Sequence, residues 1–516
     1  MIETNEINLN KSCFKSNLIL ALIFLIVSVS IILKSWFHPE GYLSPDSTGY
    51  LHLAKRILDG FGFTEMVYDG KLFHSRHAAV WPFGYPLAIA ITSKVFGCSV
   101  FWASKVLNIF VVGAILVILQ KMFKDRSPIF GLVLLSASFL EQFSYTLTEV
   151  PFILGMLLFA SALYSFFNRT DKLWLPSLIL FSSGMILFLS RYAGSFYLAC
   201  LAVAFFYCLS KKDLIRTSYL GIVGVVSFCC IGSYLYYNFL ITAFTSGMAR
   251  IPSKETNLDL LINLFSATLN EMNILRHSYD GWGILFLFLF TQLLLLGIPF
   301  IKFRNELRIK EWLRTIKIAD IPFIFCFVGI SYCASIIYVR WKYHLDPFSF
   351  RLLGPGTILV FIAILYFVEK NFTENFKKSW FKTLCLLSLL SVLLNVPMKT
   401  YTQYQSSNVT YTEKVNKIKK ALVDVDKGSI VLTWNRDLKY LRSDLIVILP
   451  SPYLNNLKST KLSSFRLNIQ NQYPTKKVYY FENQNQFSQY LKEYKQFTHI
   501  YRGKENNLFE IYYGSK

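Results

Sequence analysis

Ser44-Pro45-Asp46-Ser47-Thr48-Gly49-Tyr50 stands just after the first long apolar run and continues through Leu51-His52-Leu53-Ala54 to Gly60-Phe61-Gly62-Phe63. Pro-Asp-Ser ahead of a helical run is a helix start, with Asp46 or Ser47 as the N-cap. Leu51, Ala54, Ile57 and Leu58 then share one side, so 46–59 is expected to be a short helix lying at a membrane surface. Gly60 and Gly62 end it. The same heptapeptide has a chemical reading. A carboxylate at the mouth of a lipid-embedded protein is costly unless water, a metal or a substrate uses its charge. The rest of the chain decides how the two readings relate.

Of 516 residues, 53% are hydrophobic and only 16% charged. Soluble domains carry about 25% charged residues. The chain is therefore expected to be a polytopic membrane protein whose apolar runs are spans. The net charge of +22 reflects the Lys/Arg excess of cytoplasmic loops and contact with anionic lipid, and no nucleic-acid partner is expected. Nearly all the cysteines lie in or beside apolar segments and form no CxxC pair, so they are expected to make neither a metal site nor a disulfide framework. Lys11 and Lys15 precede the apolar run Leu18–Leu33, which reads as an uncleaved signal-anchor.

Loop charges assign the sides. Span one, about Asn17–Trp36, starts in the cytoplasm and leaves Asp46 outside. Span two, Val100–Met122, ends at Lys121, Lys124 and Arg126, an inside turn. One crossing separates Asp46 from that turn, so Phe83–Gly97 is interfacial rather than spanning. Further spans are expected at Ile129–Phe143, Phe152–Phe167, Trp174–Leu189, Ser195–Leu209, Tyr219–Phe239, Trp282–Ile301, Ile321–Val339, Gly356–Val368 and Thr383–Pro397. The connection at 240–281 is a loop of about 40 residues carrying Arg250, His277, Tyr279 and Asp280. Lys302, Arg304, Arg308, Lys310, Arg314 and Lys317 mark the most basic inside loop.

The fold class expected is mainly α: a helical membrane bundle of about eleven spans, with interfacial helices in the first external loop and a small C-terminal α/β domain. The domains divide as 1–397 and 398–516. Strands in the tail are expected at Ser429–Thr433, Leu445–Leu449, Lys477–Phe481, Thr498–Tyr501 and Leu508–Tyr513, and helices at Lys414–Val423 and Asn485–Tyr494. The crossing count places this domain outside.

Asp46, His74, Arg76, His77, Glu149, Arg191, Arg250 and Arg351 then fall on the outer side, from several connections. Singly, each has a structural role: Glu149 favours a helix N-terminus, and the arginines snorkel. Jointly they describe an outward cavity with carboxylates and arginines. Guanidinium forks suit phosphate oxygens, and a carboxylate in reach of a hydroxyl serves as general base. Base, phosphate clamp and lipid access together suggest transfer of a sugar from a lipid-linked phosphate. A single displacement inverts the anomeric centre.

Trp81-Pro82-Phe83-Gly84-Tyr85-Pro86-Leu87, Thr148-Glu149-Val150-Pro151, Arg191-Tyr192-Ala193-Gly194 and Arg351-Leu352-Leu353-Gly354-Pro355 follow the Asp46 stretch in order. Over about the first 370 residues this order resembles the GT-C superfamily of membrane glycosyltransferases. The likeness is to the branch of protein O-mannosyltransferases and the lipid A aminoarabinose transferase. The resemblance implies Asp46 as the catalytic acid/base position, Glu149 as a second acidic position and Arg351 near the lipid phosphate. It implies a polyprenyl-phosphate or dolichyl-phosphate sugar donor. Candidate substrate- and phosphate-binding residues are Tyr50, Arg76, His77, Tyr85, Arg191, Arg250 and Arg351. Phe83 stands where the family has Pro, and Asp46 is single where some members have Asp-Glu, which leaves a divalent metal open. The acceptor is an envelope lipid, glycan or protein. The expected setting is a bacterial inner or plasma membrane, with site and tail extracytoplasmic. The alternative is a transporter or flippase of lipid-linked sugars, against which stand charges at span edges and no repeated halves.

Overall fold

Long apolar runs bounded by charges form the helices of this chain, as the bilayer requires of any spanning segment. A computed structural model describes residues 2–68, 73–275, 282–304, 317–433, 435–448, 477–481, 501–504 and 508–511. In chain order the elements are α1 (Ile2–Phe37), α2 (Pro45–Leu58), β1 (Thr64–Tyr68), β2 (Phe73–His77), α3 (Gly84–Phe96), α4 (Val100–Phe123), α5 (Ser127–Gly131) and α6 (Ala137–Ser144). There follow α7 (Glu149–Asn168), α8 (Trp174–Ser190), α9 (Tyr197–Ser210), α10 (Leu214–Thr242), α11 (Asn257–Met272), α12 (Trp282–Lys302), α13 (Ile321–Lys342), α14 (Phe350–Asn371) and α15 (Glu374–Leu393). The tail holds α16 (Lys399–Ser407), α17 (Tyr411–Ala421), β3 (Ile430–Leu432), α18 (Leu438–Leu441), β4 (Ile446–Ile448), β5 (Val478–Phe481), β6 (Tyr501–Lys504) and β7 (Leu508–Ile511). Two compact units result: Met1–Ser35, Ala79–Tyr85 and Lys105–Gln405 form the first, and Trp36–Ala78, Pro86–Ser104 and Ser406–Lys516 the second.

The first unit is a helical bundle. Among the described residues, nine helical stretches are long and apolar enough to cross a membrane, and Trp174–Ser190 is a shorter apolar helix. Its apolar core includes Val27, Val112, Phe143, Phe152, Phe159 and Leu359. Helices α13 and α14 touch backbone to backbone. A Cβ on Gly329 would stand 2.6 Å from the Gly356 carbonyl oxygen, and one on Gly356 would stand 2.7 Å from that of Gly329.

Two expectations change here. The span expected at Ile129–Phe143 is not one helix. It consists of α5, a 3₁₀ segment (Leu132–Leu135) and α6, broken at Ser136, whose φ of −69° and ψ of 154° are extended. At 1.5 Å per residue α6 rises about 12 Å, well short of a hydrocarbon core of about 30 Å. Hydrophobic counting passed over buried Ser136, Ser138, Glu141 and Gln142. The connection at 240–281 contains a helix, α11, capped by the Thr256 side chain accepting from the Asp259 N–H. Its inward stripe of Leu260, Ala267 and Glu271 mixes apolar with charged residues, which hid the period. His277, Tyr279, Asp280, Arg308, Lys310 and Arg314 lie outside the described residues, as does the helix expected at Asn485–Tyr494.

Buried charge fixes the broken segment. The Lys34 ammonium donates to Glu141 Oε2 at 2.6 Å and to the Leu140 carbonyl at 3.4 Å, while Lys399 reaches Glu141 Oε1 at 2.9 Å. Lys105 donates to the Ser144 carbonyl at 2.7 Å. Asn108 Nδ2 donates to the Phe143 and Tyr145 carbonyls, each at 2.8 Å. The carbonyls that the end of a helix leaves open are thus met by two buried lysines and an asparagine. Breaking a buried ion pair costs about 3–5 kcal/mol, whereas removing both partners together is often neutral. Glu141→Leu is therefore expected to lower stability by about that amount, and Lys34→Met combined with Glu141→Leu to recover most of it. Thermal unfolding of the purified variants checks this; a double variant no better than the single one contradicts it.

In the second unit, α2 starts as the sequence suggests, with a different cap. Ser44 is the N-cap, Pro45 the first helical residue, and Ser47 completes a reciprocal capping box. Proline favours the first helical position, so the cap falls on the residue before it, not on Asp46 or Ser47. The buried side is Tyr50, Leu51, Leu53, Ala54 and Arg56, with Ile57 and Leu58 only half-buried. Gly60 and Gly62 have φ of 83° and 68°, the left-handed region in which glycine carries no steric cost. β1 and β2 pair antiparallel, Glu65 opposite Arg76. The tail forms a five-stranded sheet in the order β4-β3-β5-β7-β6. β3 runs parallel to β4 and β5, and β7 antiparallel to β5 and β6. Ile418 and Leu422 pack with Val431, Leu438 and Tyr479 in its core. Four strands fall within their expected strand-like runs; β6 meets its expected range only at Tyr501.

Candidate functional site

Glu149 opens α7 and is wholly buried, a position an acid can hold only if its charge is answered. Two guanidiniums answer it. Arg191 Nη1 lies 2.8 Å from Glu149 Oε1, and Arg351 Nε lies 3.3 Å from the same oxygen. The Thr148 hydroxyl donates to Oε2 at 3.2 Å. Arg351 Nη1 stands 3.5 Å from Asp346 Oδ2, a carboxylate largely open to solvent. The arginine side chains are 20% and 22% exposed, so each is anchored from within and open to the surface.

Local structure sets this geometry. Arg191 follows the last residue of α8 in an extended conformation, φ −150° and ψ 140°. The turn after it closes against α8, and a Cβ on Gly194 would stand 2.3 Å from the Leu187 carbonyl carbon and oxygen. Only glycine fits there. Gly84 makes a similar approach, its Cβ position being 2.6 Å from the Leu189 oxygen. Arg351 is the second residue of α14, with Pro355 inside the same helix. Proline has no N–H for the carbonyl four residues earlier, that of Arg351. Arg191 Nη1 donates to that oxygen, at 3.5 Å. The proline therefore frees the acceptor that helps tie the two arginines.

The cluster holds two fixed positive charges against one buried carboxylate, with the solvent-exposed Asp346 at its edge. Arg351 also sits in the first turn of α14, where the helix dipole is already positive. Such a place attracts an anion, and guanidinium forks match phosphate oxygens. The Tyr332 ring lies 5.1 Å from that of Phe152 and 5.4 Å from that of Phe196. Its buried hydroxyl has no hydrogen-bond partner among the described residues and lies in electrostatic reach of Glu149 and Arg191.

Of the residues singled out from sequence, the structure brings Glu149, Arg191 and Arg351 together. Tyr85 is buried in the same unit, its hydroxyl 3.5 Å from Asn108 Oδ1. Arg250 is exposed, its Nε donating to Ser246 Oγ at 3.2 Å, in electrostatic reach of Tyr192. Asp46, Tyr50, Arg76 and His77 belong to the second unit. There Asp46 is half-buried in the first turn of α2, and Tyr50 is buried. Arg76 Nη2 lies 3.5 Å from Glu65 Oε1, and the His77 ring 5.5 Å from that of Phe63. Sequence reading passed over Lys34, Lys105, Glu141, Lys399, Glu271 and Tyr332. A signal existed for two of them: Lys34 is the one charge between Ser16 and Phe37, and Lys105 the one charge between Val100 and Gln120. Among the described residues, no three or more His, Cys, Asp or Glu come together so as to hold a metal ion.

No family model and no curated protein sequence matches the chain. Solved structures do. The apo crystal structure of ArnT from Cupriavidus metallidurans superposes with a TM-score of 0.58 at 9% identity, covering 96% of this chain and 97% of that one. ArnT from the same organism bound to undecaprenyl phosphate gives 0.56 at 11% identity, with the same coverage. An apo oligosaccharyltransferase from Archaeoglobus fulgidus gives 0.48 at 11%, covering 91% and 69%. The chain has the fold of the ArnT structures, as the ordered motifs led one to expect.

Proposed function

We propose that this multi-pass membrane protein is a glycosyltransferase. It moves a sugar from a polyprenyl-phosphate donor to a hydroxyl of an envelope lipid, glycan or protein outside the membrane. The observation that carries this reading is the Glu149–Arg191–Arg351 cluster. It occurs in a chain with the fold of a protein solved with undecaprenyl phosphate bound.

In the reaction, Asp46 accepts the acceptor's hydroxyl proton as that oxygen bonds to the anomeric carbon. The anomeric C–O bond to phosphate breaks, and polyprenyl phosphate leaves with the electron pair. Arg191 and Arg351 hold its oxygens, donating more strongly as charge builds on the leaving group. Glu149 keeps the two forks apart and aimed, which fixes their geometry before the donor arrives. Displacement from one face inverts the sugar carbon.

Mass spectrometry of envelope lipids, glycans and proteins from cells with and without the chain tests this. The expected result is one sugar-bearing species that disappears with the chain, and whose formation purified protein restores in the presence of a polyprenyl-phosphate sugar. An unchanged envelope, with labelled lipid-linked sugar crossing proteoliposome membranes instead, would replace the reading by transport.

A further inference from the structure

Glu271 is a further carboxyl buried inside the bundle, 2% exposed, and transfer chemistry does not use it. Among the described residues no Lys, Arg or His pairs with it; its partners are hydroxyls. Ser138 Oγ of α6 lies 3.3 Å from Oε1, and Thr357 Oγ1 of α14 lies 3.4 Å from Oε2. Thr357 Oγ1 is also 3.2 Å from the Gly354 carbonyl oxygen. One hydroxyl proton cannot serve two acceptors well, and all three separations exceed the 2.5–3.0 Å usual for O–H···O bonds.

A second observation lies on the same seam. Gln142, wholly buried, has neither amide atom hydrogen-bonded to any described residue. It is four residues beyond Ser138 on α6, hence on the same helix face. Its Oε1 rests on α14 at Gly354, 2.7 Å from where a Cβ on that glycine would stand. A buried amide without partners in a native protein calls for a water or an ion.

We propose that Glu271, Ser138, Thr357, Gln142 and the Gly354 carbonyl bind one monovalent cation, sodium. The donor set is all oxygen, which suits a hard cation and not a transition metal. With Glu271 ionised it carries one negative charge, so a single positive charge leaves the site neutral, whereas a divalent ion would leave a buried excess. An ion among these oxygens also explains why they stand farther apart than hydrogen bonding alone would put them. Arg351, Gly354 and Thr357 follow one another at helical spacing on α14. The ion would therefore steady the helix that presents Arg351.

Thermal unfolding of the purified full chain in sodium chloride, against potassium and N-methyl-D-glucamine chloride at equal ionic strength, tests the proposal alongside binding of radioactive sodium. Sodium at a hundredfold excess over its dissociation constant is expected to raise the unfolding midpoint by about 2–3 °C, and one ion to bind per chain. Glu271→Gln should lose both effects while keeping the sodium-free midpoint. Gln142→Leu should weaken sodium binding about tenfold or more, and serves if the first variant fails to fold. The proposal is overturned if the parent shows no sodium-specific shift, or if Glu271→Gln retains it. A midpoint that follows pH but ignores sodium does the same, since a proton would then occupy the carboxyl. No outcome depends on transfer activity.

Discussion

Asp46→Asn is expected to abolish glycosyl transfer while the protein inserts and folds as before. Asparagine keeps the shape of the side chain, and the cap is Ser44 with Ser47, neither of which changes. The helix loses the favourable placement of a charge in its first turn, about 0.3–1 kcal/mol. What disappears is basicity. A positioned general base contributes about 10²- to 10⁴-fold to rate, so turnover should fall by about that factor. The comparison to make is initial rate against unfolding midpoint for parent and variant. A variant within a few-fold of parental turnover removes Asp46 from the chemistry, whatever the protein transfers.

Glu149→Gln should act on stability and activity together. Two guanidiniums would then face each other over a neutral amide. Uncompensated buried charge costs about 3–5 kcal/mol; the two arginines are partly open to solvent and Arg351 keeps Asp346, so the loss should stay below that, a degree or two in the midpoint. Turnover should drop about a hundredfold, since an amide oxygen holds the two forks more weakly than the carboxylate does. An anion can take over part of the carboxylate's role. Inorganic phosphate or a short polyprenyl phosphate, added at millimolar concentration, is expected to raise the variant's midpoint more than the parent's. A variant as stable as the parent and indifferent to phosphate would show that the arginines are not an anion site.

How much of this was readable beforehand differs by residue. Pro45 and the two glycines after α2 announced that helix within one residue, because start and stop signals are local. Most tail strands were legible for the same reason: a short run of β-branched and apolar residues, such as Ile430–Leu432, is a property of neighbouring residues. Glu149, Arg191 and Arg351 could be grouped because each is a charge at the edge of an apolar run, and loop charges put those edges on one side. Their contact could not be read, since Glu149 and Arg351 are 202 residues apart in sequence. The Lys34–Glu141 and Ser138–Glu271 pairs are separated by 107 and 133 residues. A lone lysine in an apolar run signals that something must answer it, but not which residue will. The broken span was missed because averaging hydropathy over Ile129–Phe143 hides the polar side chains that α6 turns inward.

The glycine contact between α13 and α14 bears on how variants of this protein will be interpreted. Adding one methyl group at Gly329 or Gly356 would force the helices apart, because backbone cannot yield as a side chain can. The lesion would lie deep inside the bundle, yet its readout would travel along α14 to Arg351. A genetic screen for loss of function would then score such alleles beside true substrate contacts, indistinguishable by phenotype. Donor binding measured at several concentrations tells them apart. A displaced fork weakens affinity for every phosphate-linked sugar alike, whereas a lost sugar contact changes which sugar is preferred.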